Sequence, residues 1–78
     1  MKLTFFGRLR DAVGAVEIEC LPPTNIVDSE SLRTWISEKH PALAEATVRI
    51  ALDDVLTAGP TSLAGVSEVA FLPPVSGG

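Results

Sequence analysis

The sequence is poor in cysteine and histidine, with one residue of each among 78, Cys20 and His40. A single cysteine cannot form a disulfide within the chain. Together with one histidine it supplies too few ligands for a structural zinc site, which takes four. We therefore expect no metal site. Because the chain has no disulfide framework, we expect it to work in the cytoplasm.

Positive charge is also scarce, because six lysine and arginine residues stand against ten acidic residues, for a net charge of −4. Proteins that bind the phosphate backbone of nucleic acids need an excess of cations. The closest basic pair, Arg8 and Arg10, is followed at once by Asp11, and the other cations are spread singly along the chain. The charge pattern argues against nucleic acid and suits a protein partner with a basic face.

Long apolar runs are missing as well. The apolar stretch from Leu3 to Phe6 is interrupted by Gly7 and Arg8, whereas a signal peptide has an apolar region of about 7–15 residues. No run approaches the roughly 20 apolar residues of a membrane span. We therefore expect neither a secretion signal nor a membrane anchor in this sequence.

The sequence does contain enough apolar residues, 46% of 78, for one small core. Two domains within this length would each be too small to fold without help. Ordering the chain costs roughly 1.5 kcal/mol per residue, so nearly all apolar residues are needed for the core and few remain to enclose a substrate cavity. A carrier or a binding module is therefore a better interpretation than a self-contained enzyme.

Alternating or β-branched segments, bounded by glycine and proline, predict five strands. The first two are joined by a connection at residues 8–14. Further along, Asp53 and Asp54 are predicted to form a turn. Pro73 and Pro74 end the last strand, because proline has no amide hydrogen to donate to a sheet. The predicted strands cover residues 2–6, 15–21, 48–52, 55–57 and 68–72.

One helix is predicted between the second and third strands. Asp28 can accept hydrogen bonds from the free amides at a helix start. Leu32, Trp35 and Ile36 then lie at positions i, i+3 and i+4 and form one apolar stripe. We expect the helix to end near His40, before a proline, with Trp35 as its largest core anchor. The order ββαβββ is typical of α+β proteins with a mixed sheet packed against one main helix, the β-grasp fold.

The strand pattern also predicts an apolar patch on the sheet face opposite the helix. Adjacent residues on a strand point to opposite faces, so only one member of the pairs Phe5-Phe6 and Phe71-Leu72 can face the helix. We place the first member of each pair beneath it. Phe6 and Leu72 then lie outside, where Leu56 can join them. Such a patch is a candidate docking surface; the alternative is that loops cover these side chains or that they are exposed singly.

The end of the sequence is chemically distinctive. A β-grasp domain is predicted over residues 1–74, followed by a flexible tail of Val75, Ser76, Gly77 and Gly78. Extended, the tail reaches about 13 Å, and its glycines make it thin enough for a narrow cleft. The α-carboxyl of Gly78 is an anion at neutral pH, so it becomes an acyl donor only after activation, for example as an acyl-adenylate. The alternative is a flexible end without chemistry.

Both ends of the sequence resemble those of a known family. Residues 3–14 read LTFFGRLRDAVG, and residues 68–78 read EVAFLPPVSGG. These segments are similar to the opening and closing signatures of the MoaD family, the small subunit of molybdopterin synthase. A strand that runs into Pro-Pro, two further residues and Gly-Gly is far more restrictive than Gly-Gly alone. The likeness covers the whole chain in length and order, and the family resembles ubiquitin in fold, in agreement with the β-grasp prediction.

The resemblance implies a sulfur carrier in molybdenum cofactor biosynthesis, with no cofactor of its own. In that family a MoeB-type enzyme adenylates the C-terminal glycine, and sulfur transfer then converts it into a thiocarboxylate. The tail enters the large subunit, MoaE, and donates sulfur to cyclic pyranopterin monophosphate, with two such transfers building the dithiolene. Two small and two large subunits form a heterotetramer. The catalytic lysines are expected on the large subunit, so this chain is not an enzyme by itself.

Carried over residue by residue, the resemblance places the sulfur on Gly78. Ser76 and Gly77 would thread the cleft of the large subunit, and Val75 would help to seat the tail. The residues that the resemblance assigns to the contact with the large subunit are Phe6, Leu56 and Leu72, the same side chains that strand alternation places on the outer face.

Other functions remain open at this point. The carriers for thiamin thiazole synthesis share the fold and also end in Gly-Gly, so the pathway rests on the end motifs. A ubiquitin-like modifier would form isopeptide links from Gly78 to lysines of other proteins, and an inert binding module would not need Gly78 at all. Cys20 lies in a predicted strand without a histidine or aspartate pattern beside it, so a small buried hydrophobic residue is a better interpretation than a nucleophile.

Overall fold

In the computed structural model, which describes residues 1–74, five strands form one mixed sheet and a helix crosses one of its faces. The helices are the short α1 (Leu9–Val13) and the main helix α2 (Ser29–Ser37). A 3₁₀ helix at Pro41–Ala44 follows α2. The strands are β1 (Lys2–Phe5), β2 (Glu17–Glu19), β3 (Arg49–Leu52), β4 (Val55–Leu56) and β5 (Glu68–Leu72).

The strands lie in the order β2-β1-β5-β3-β4. The first and last strands of the chain, β1 and β5, pair in parallel at the centre of the sheet, and every other neighbouring pair is antiparallel. This register sets Phe5 beside Phe71, whose rings stack with centroids 5.6 Å apart. The predicted α+β β-grasp architecture is confirmed, and the chain leaves the sheet from its central strand.

The core lies between α2 and the sheet. Leu3, Phe5, Val69 and Phe71 point toward the helix and are fully buried, as is Leu32 on α2. The faces predicted for the two central strands are therefore confirmed. Each side chain is buried because alternate residues of a strand share one face, and only one face of this sheet is covered by the helix.

Helix α2 begins where the sequence predicts it. The Asp28 carboxylate accepts a hydrogen bond from the backbone amide of Ser31 at 2.8 Å, and the Asp28 amide donates to the Ser31 hydroxyl at 3.2 Å. Leu32 and Ile36 face the core. The prediction that Trp35 is the largest core anchor is wrong. The two stacked phenylalanines already fill the centre, and Trp35 lies half-buried at the margin of the helical stripe, beside Ile26.

Two predicted elements need correction. The connection at residues 8–14 contains helix α1, which buries Leu9 completely and is capped after its last residue by Gly14, whose φ is +85°. The second strand, predicted at residues 15–21, covers only Glu17–Glu19. Its only neighbour is β1, which has four residues, so a longer β2 would have no strand to pair with. Backbone hydrogen bonds from Phe5 to Val16 and from Cys20 to Met1 close the two ends of the β1–β2 ladder.

Candidate functional site

The sheet face opposite α2 carries several apolar side chains. Phe6 and Leu56 are 38% and 55% exposed, and Leu72 is half-buried. Two alanines connect them, because Ala51 is the Cα partner of both Leu56 on β4 and Ala70 on β5. We call this surface the outer patch; it comprises Phe6, Ala51, Leu56, Ala70 and Leu72. The structure therefore brings together the three outward side chains that the sequence singled out.

Cations border the outer patch on the side where the strand β5 ends. The Arg10 guanidinium lies over the ring of Phe6, 5.6 Å from its centroid, and its Nε donates to the carbonyl of Phe5 at 2.9 Å. Arg49 is exposed and is the Cα partner of Leu72 on the neighbouring strand. The position of Arg10 escaped the sequence reasoning, since it depends on helix α1, whose five residues are too few to show a helical period.

The chain passes from the sheet to its last residues beside the outer patch. The Phe6 amide donates to the carbonyl of Phe71 at 3.1 Å, so the β1–β5 pairing continues to the end of β5. Gly7 adopts φ of +55° and lies so close to Pro73 that a Cβ there would be 2.9 Å from the proline Cγ. This contact fixes where the chain leaves β5. The residues assigned to the tail, Val75, Ser76, Gly77 and Gly78, lie outside the described residues.

Asp53 and Asp54 form the predicted turn, and both have positive φ, +46° and +72°. The Asp53 carboxylate accepts hydrogen bonds from the backbone amides of Ser67, at 3.2 Å, and Glu68, at 2.9 Å. The carboxylate therefore ties the β3–β4 turn to the start of β5. The sequence did not indicate this long-range link. It gives the acidic residue of the turn a structural role, so cation binding is not needed to account for it.

Cys20 is half-buried against the core, in keeping with its interpretation as a small hydrophobic residue. Burial raises the pKa of its thiol, which reduces the fraction of reactive thiolate at neutral pH. Within residues 1–74, no three histidine, cysteine, aspartate or glutamate side chains gather as metal ligands, and no helix is long and apolar enough to cross a bilayer.

Comparison with known proteins extends this description. The model of the ThiS family matches residues 3–78. No curated protein matches the chain. Among solved structures, a protein from Pyrococcus furiosus that bears the name of a molybdopterin converting factor, subunit 1, superimposes with a TM-score of 0.75 at 23% identity, over 95% of each chain.

Two archaeal modifier proteins are similar to the same degree. SAMP1 from Haloferax volcanii has a TM-score of 0.76 at 20% identity and covers 99% of this chain and 97% of its own. The small archaeal modifier protein 1 from Methanosarcina acetivorans has a TM-score of 0.67 at 23% identity, over 99% of this chain and 94% of its own. At sequence identities this low, the structural similarity establishes a shared fold.

The family match covers nearly the whole chain, including the outer patch and all strand residues of the described part except Lys2. Members of this group generally work with an E1-like adenylating enzyme and a partner synthase, and a small carrier domain of this kind fits a non-catalytic subunit. The chain belongs to the ThiS family, and with it to the ThiS/MoaD group of ubiquitin-like sulfur carriers.

Proposed function

We propose that this protein is the sulfur-carrier subunit of a molybdopterin synthase, and that the carboxyl group of Gly78 is its reactive group. The observation that supports this most is that the apolar outer patch extends to Leu72, where β5 ends and the chain continues into Pro73. A partner that docks on the patch would lie beside the start of the tail. The closing sequence, with its Pro-Pro and Gly-Gly, resembles that of MoaD proteins.

The chemistry requires activation of the terminal carboxylate. The anion of Gly78 is a poor electrophile. A MoeB-type enzyme would join it to the AMP portion of ATP, with release of pyrophosphate. A sulfur nucleophile would then displace AMP, so that one carboxyl oxygen is replaced by sulfur and a thiocarboxylate results. This thiocarboxylate would donate its sulfur to cyclic pyranopterin monophosphate in the active site of the large subunit, where the catalytic lysines are expected.

The division of the chain follows from this proposal. Residues 1–74 would serve as the docking domain and residues 75–78 as the tail that reaches the active sites of other proteins. Ser76 and Gly77 would thread the cleft, because glycine has no side chain to obstruct it, and Val75 would seat the tail at the entrance. No side chain of this protein takes part in bond making.

The outer patch would hold the large subunit of the MoaE type. Burial of apolar surface stabilises a complex by about 25 cal/mol per Å², so exposed side chains as large as Phe6 and Leu56 are favourable contacts. Leu72 would complete the contact at the end of β5. Arg10 and Arg49, at the border of the patch, favour a partner with acidic residues around its apolar site.

The intact mass of the full chain tests the proposed chemistry. We expect the chain, produced together with its adenylating enzyme and a sulfur donor, to gain the mass difference between sulfur and oxygen. A variant with one alanine added after Gly78 is the control and should keep its mass, because the activated residue is no longer terminal. Recovery of only the unmodified carboxylate from the full chain under these conditions would contradict the proposal.

A second function, that of a protein modifier, is favoured by the two SAMP1 structures. A modifier would form isopeptide bonds between Gly78 and lysines of other proteins, which mass spectrometry of cross-linked peptides detects. A carrier for thiamin thiazole synthesis would also form a thiocarboxylate. Binding of a purified MoaE-type large subunit to the outer patch separates the molybdopterin pathway from that alternative.

A further inference from the structure

The sheet has an open edge at β2 whose backbone groups face away from β1. Hydrogen bonds join Phe5 to Val16 at 2.9 Å, and they join Met1 and Cys20 in both directions at 3.0 Å. In an antiparallel ladder, such bonded pairs alternate with non-bonded pairs. The amide and carbonyl groups of Glu17 and Glu19 therefore point to the open side. An edge of this kind is a template for another strand.

The inner face beside this edge is apolar and incompletely covered. Val16 is 54% exposed, and Ile18 and Cys20 are half-buried at the border of the core. Trp35 of α2 is also half-buried and packs against the border of the same core. A strand added to β2 would place every second side chain over this apolar margin.

The outer face of the same edge is acidic. The Glu17 and Glu19 side chains are 57% and 77% exposed. One oxygen of Glu17 pairs with Lys2 at 3.6 Å, and one oxygen of Glu19 pairs with the N-terminal ammonium group at 3.0 Å. Both of these cations lie on the β1 side. Such exposed pairs are weak. The alternate side chains of an added strand would therefore meet two carboxylates that can still accept bonds from a cation.

We propose that the β2 edge binds an extended segment of a partner protein in which apolar residues alternate with lysine or arginine. The apolar residues would cover the margin formed by Val16, Ile18 and Cys20. The basic residues would face Glu17 and Glu19. The net charge of −4 attracts such a segment from a distance. A second copy of this chain is a poor occupant, since pairing two β2 edges would bring like charges together across the strands.

This site is independent of the tail chemistry. Strand β1 lies between β2 and β5, so the open edge is about 10 Å from the strand that leads to the tail. Removal of residues 75–78 should leave binding at the edge unchanged, whereas it abolishes any function of the terminal carboxyl.

The test uses a capped eight-residue peptide in which valine alternates with lysine, added to the full chain. We expect hydrogen exchange of the Glu17 and Glu19 amides to slow, because these amides become bonded to the peptide, and we expect salt to weaken binding. A peptide of the same composition, with all valines before all lysines, should bind less tightly. Equal binding of the two peptides, or unchanged exchange at both amides, would overturn the proposal.

Charge variants supply the second measurement. The double substitution Glu17→Gln/Glu19→Gln should weaken peptide binding by about two- to tenfold, the usual range for exposed ion pairs. The control Glu45→Gln/Asp54→Asn removes the same number of charges away from the β2 edge and should leave the affinity nearly unchanged. An equal loss in both double variants would show that the peptide responds only to net charge, and the edge site would then be wrong.

Discussion

At the scale of single residues, Gly7 connects the outer patch to the exit of the chain from β5. Its φ is +55°, a conformation that costs an L-residue about 1–2 kcal/mol. A methyl group there would also lie 2.9 Å from Cγ of Pro73, so the proline must shift. We therefore expect Gly7→Ala to lower the free energy of unfolding by more than the backbone strain alone, as measured by denaturant titration.

Alanine substitutions at two other glycines distinguish the cost of the positive φ from the cost of the contact with Pro73. Gly14 has φ of +85° with no atom within 4 Å of a Cβ built there, so Gly14→Ala should show the cost of strain alone. Gly59 has neither a positive φ nor a close neighbour, and Gly59→Ala should leave the stability nearly unchanged. A loss in Gly7→Ala no greater than that in Gly14→Ala would show that the packing against Pro73 contributes nothing.

At the scale of elements, the start of α2 makes stability depend on pH. The hydrogen bond from the Ser31 backbone amide, aided by the bond with the Ser31 side chain, lowers the pKa of Asp28 below its ordinary value. The folded state therefore favours the ionised carboxyl. Its contribution to stability is complete above the pKa of the unfolded chain and is lost as the pH falls through the lower pKa of the folded state.

The variant Asp28→Asn isolates this effect, because asparagine also caps a helix but does not titrate. We expect the stability of the parent chain relative to Asp28→Asn to decrease as the pH is lowered below the ordinary range of aspartate. Urea unfolding at a series of pH values measures both curves. Parallel curves over the whole acidic range would contradict the assigned role of the cap.

Elements with a strong local signal could be predicted from the sequence. Strand β5 has the predicted bounds because two prolines follow it, and α2 starts at its predicted cap. Helix α1 could not be predicted in this way. Its five residues are held by tertiary contacts, namely the burial of Leu9 and the bond from Arg10 to the carbonyl of Phe5. A helix this short is not stable on its own and shows no helical period.

The same distinction applies to the candidate site. The outward direction of Phe6 and Leu72 followed from the alternation of side chains along a strand, which needs no knowledge of the partner strand. The contact between Gly7 and Pro73 depends on the parallel pairing of β1 with β5, which lie at opposite ends of the sequence. No local pattern encodes which strands become neighbours, so this contact appeared only in the structure.

At the scale of the whole molecule, the outer patch and α2 lie on opposite faces of the sheet. A substitution at an exposed residue of the patch can therefore change partner binding without disturbing the core. Leu56 is the best position for such a test, since it is 55% exposed at the edge of the sheet. Leu72 is less suitable, because it is half-buried and pairs with Arg49, so a charge there would also alter the sheet.

We expect Leu56→Asp to weaken binding of a MoaE-type large subunit by about tenfold or more, the loss typical of a contact at the centre of an interface. Val27→Asp is a matched control, because Val27 is 60% exposed but precedes α2 on the other side of the molecule. Calorimetric titration measures both affinities, and thermal unfolding should show both variants folded. If the two variants lose the same affinity, or neither loses any, the outer patch does not bind the large subunit.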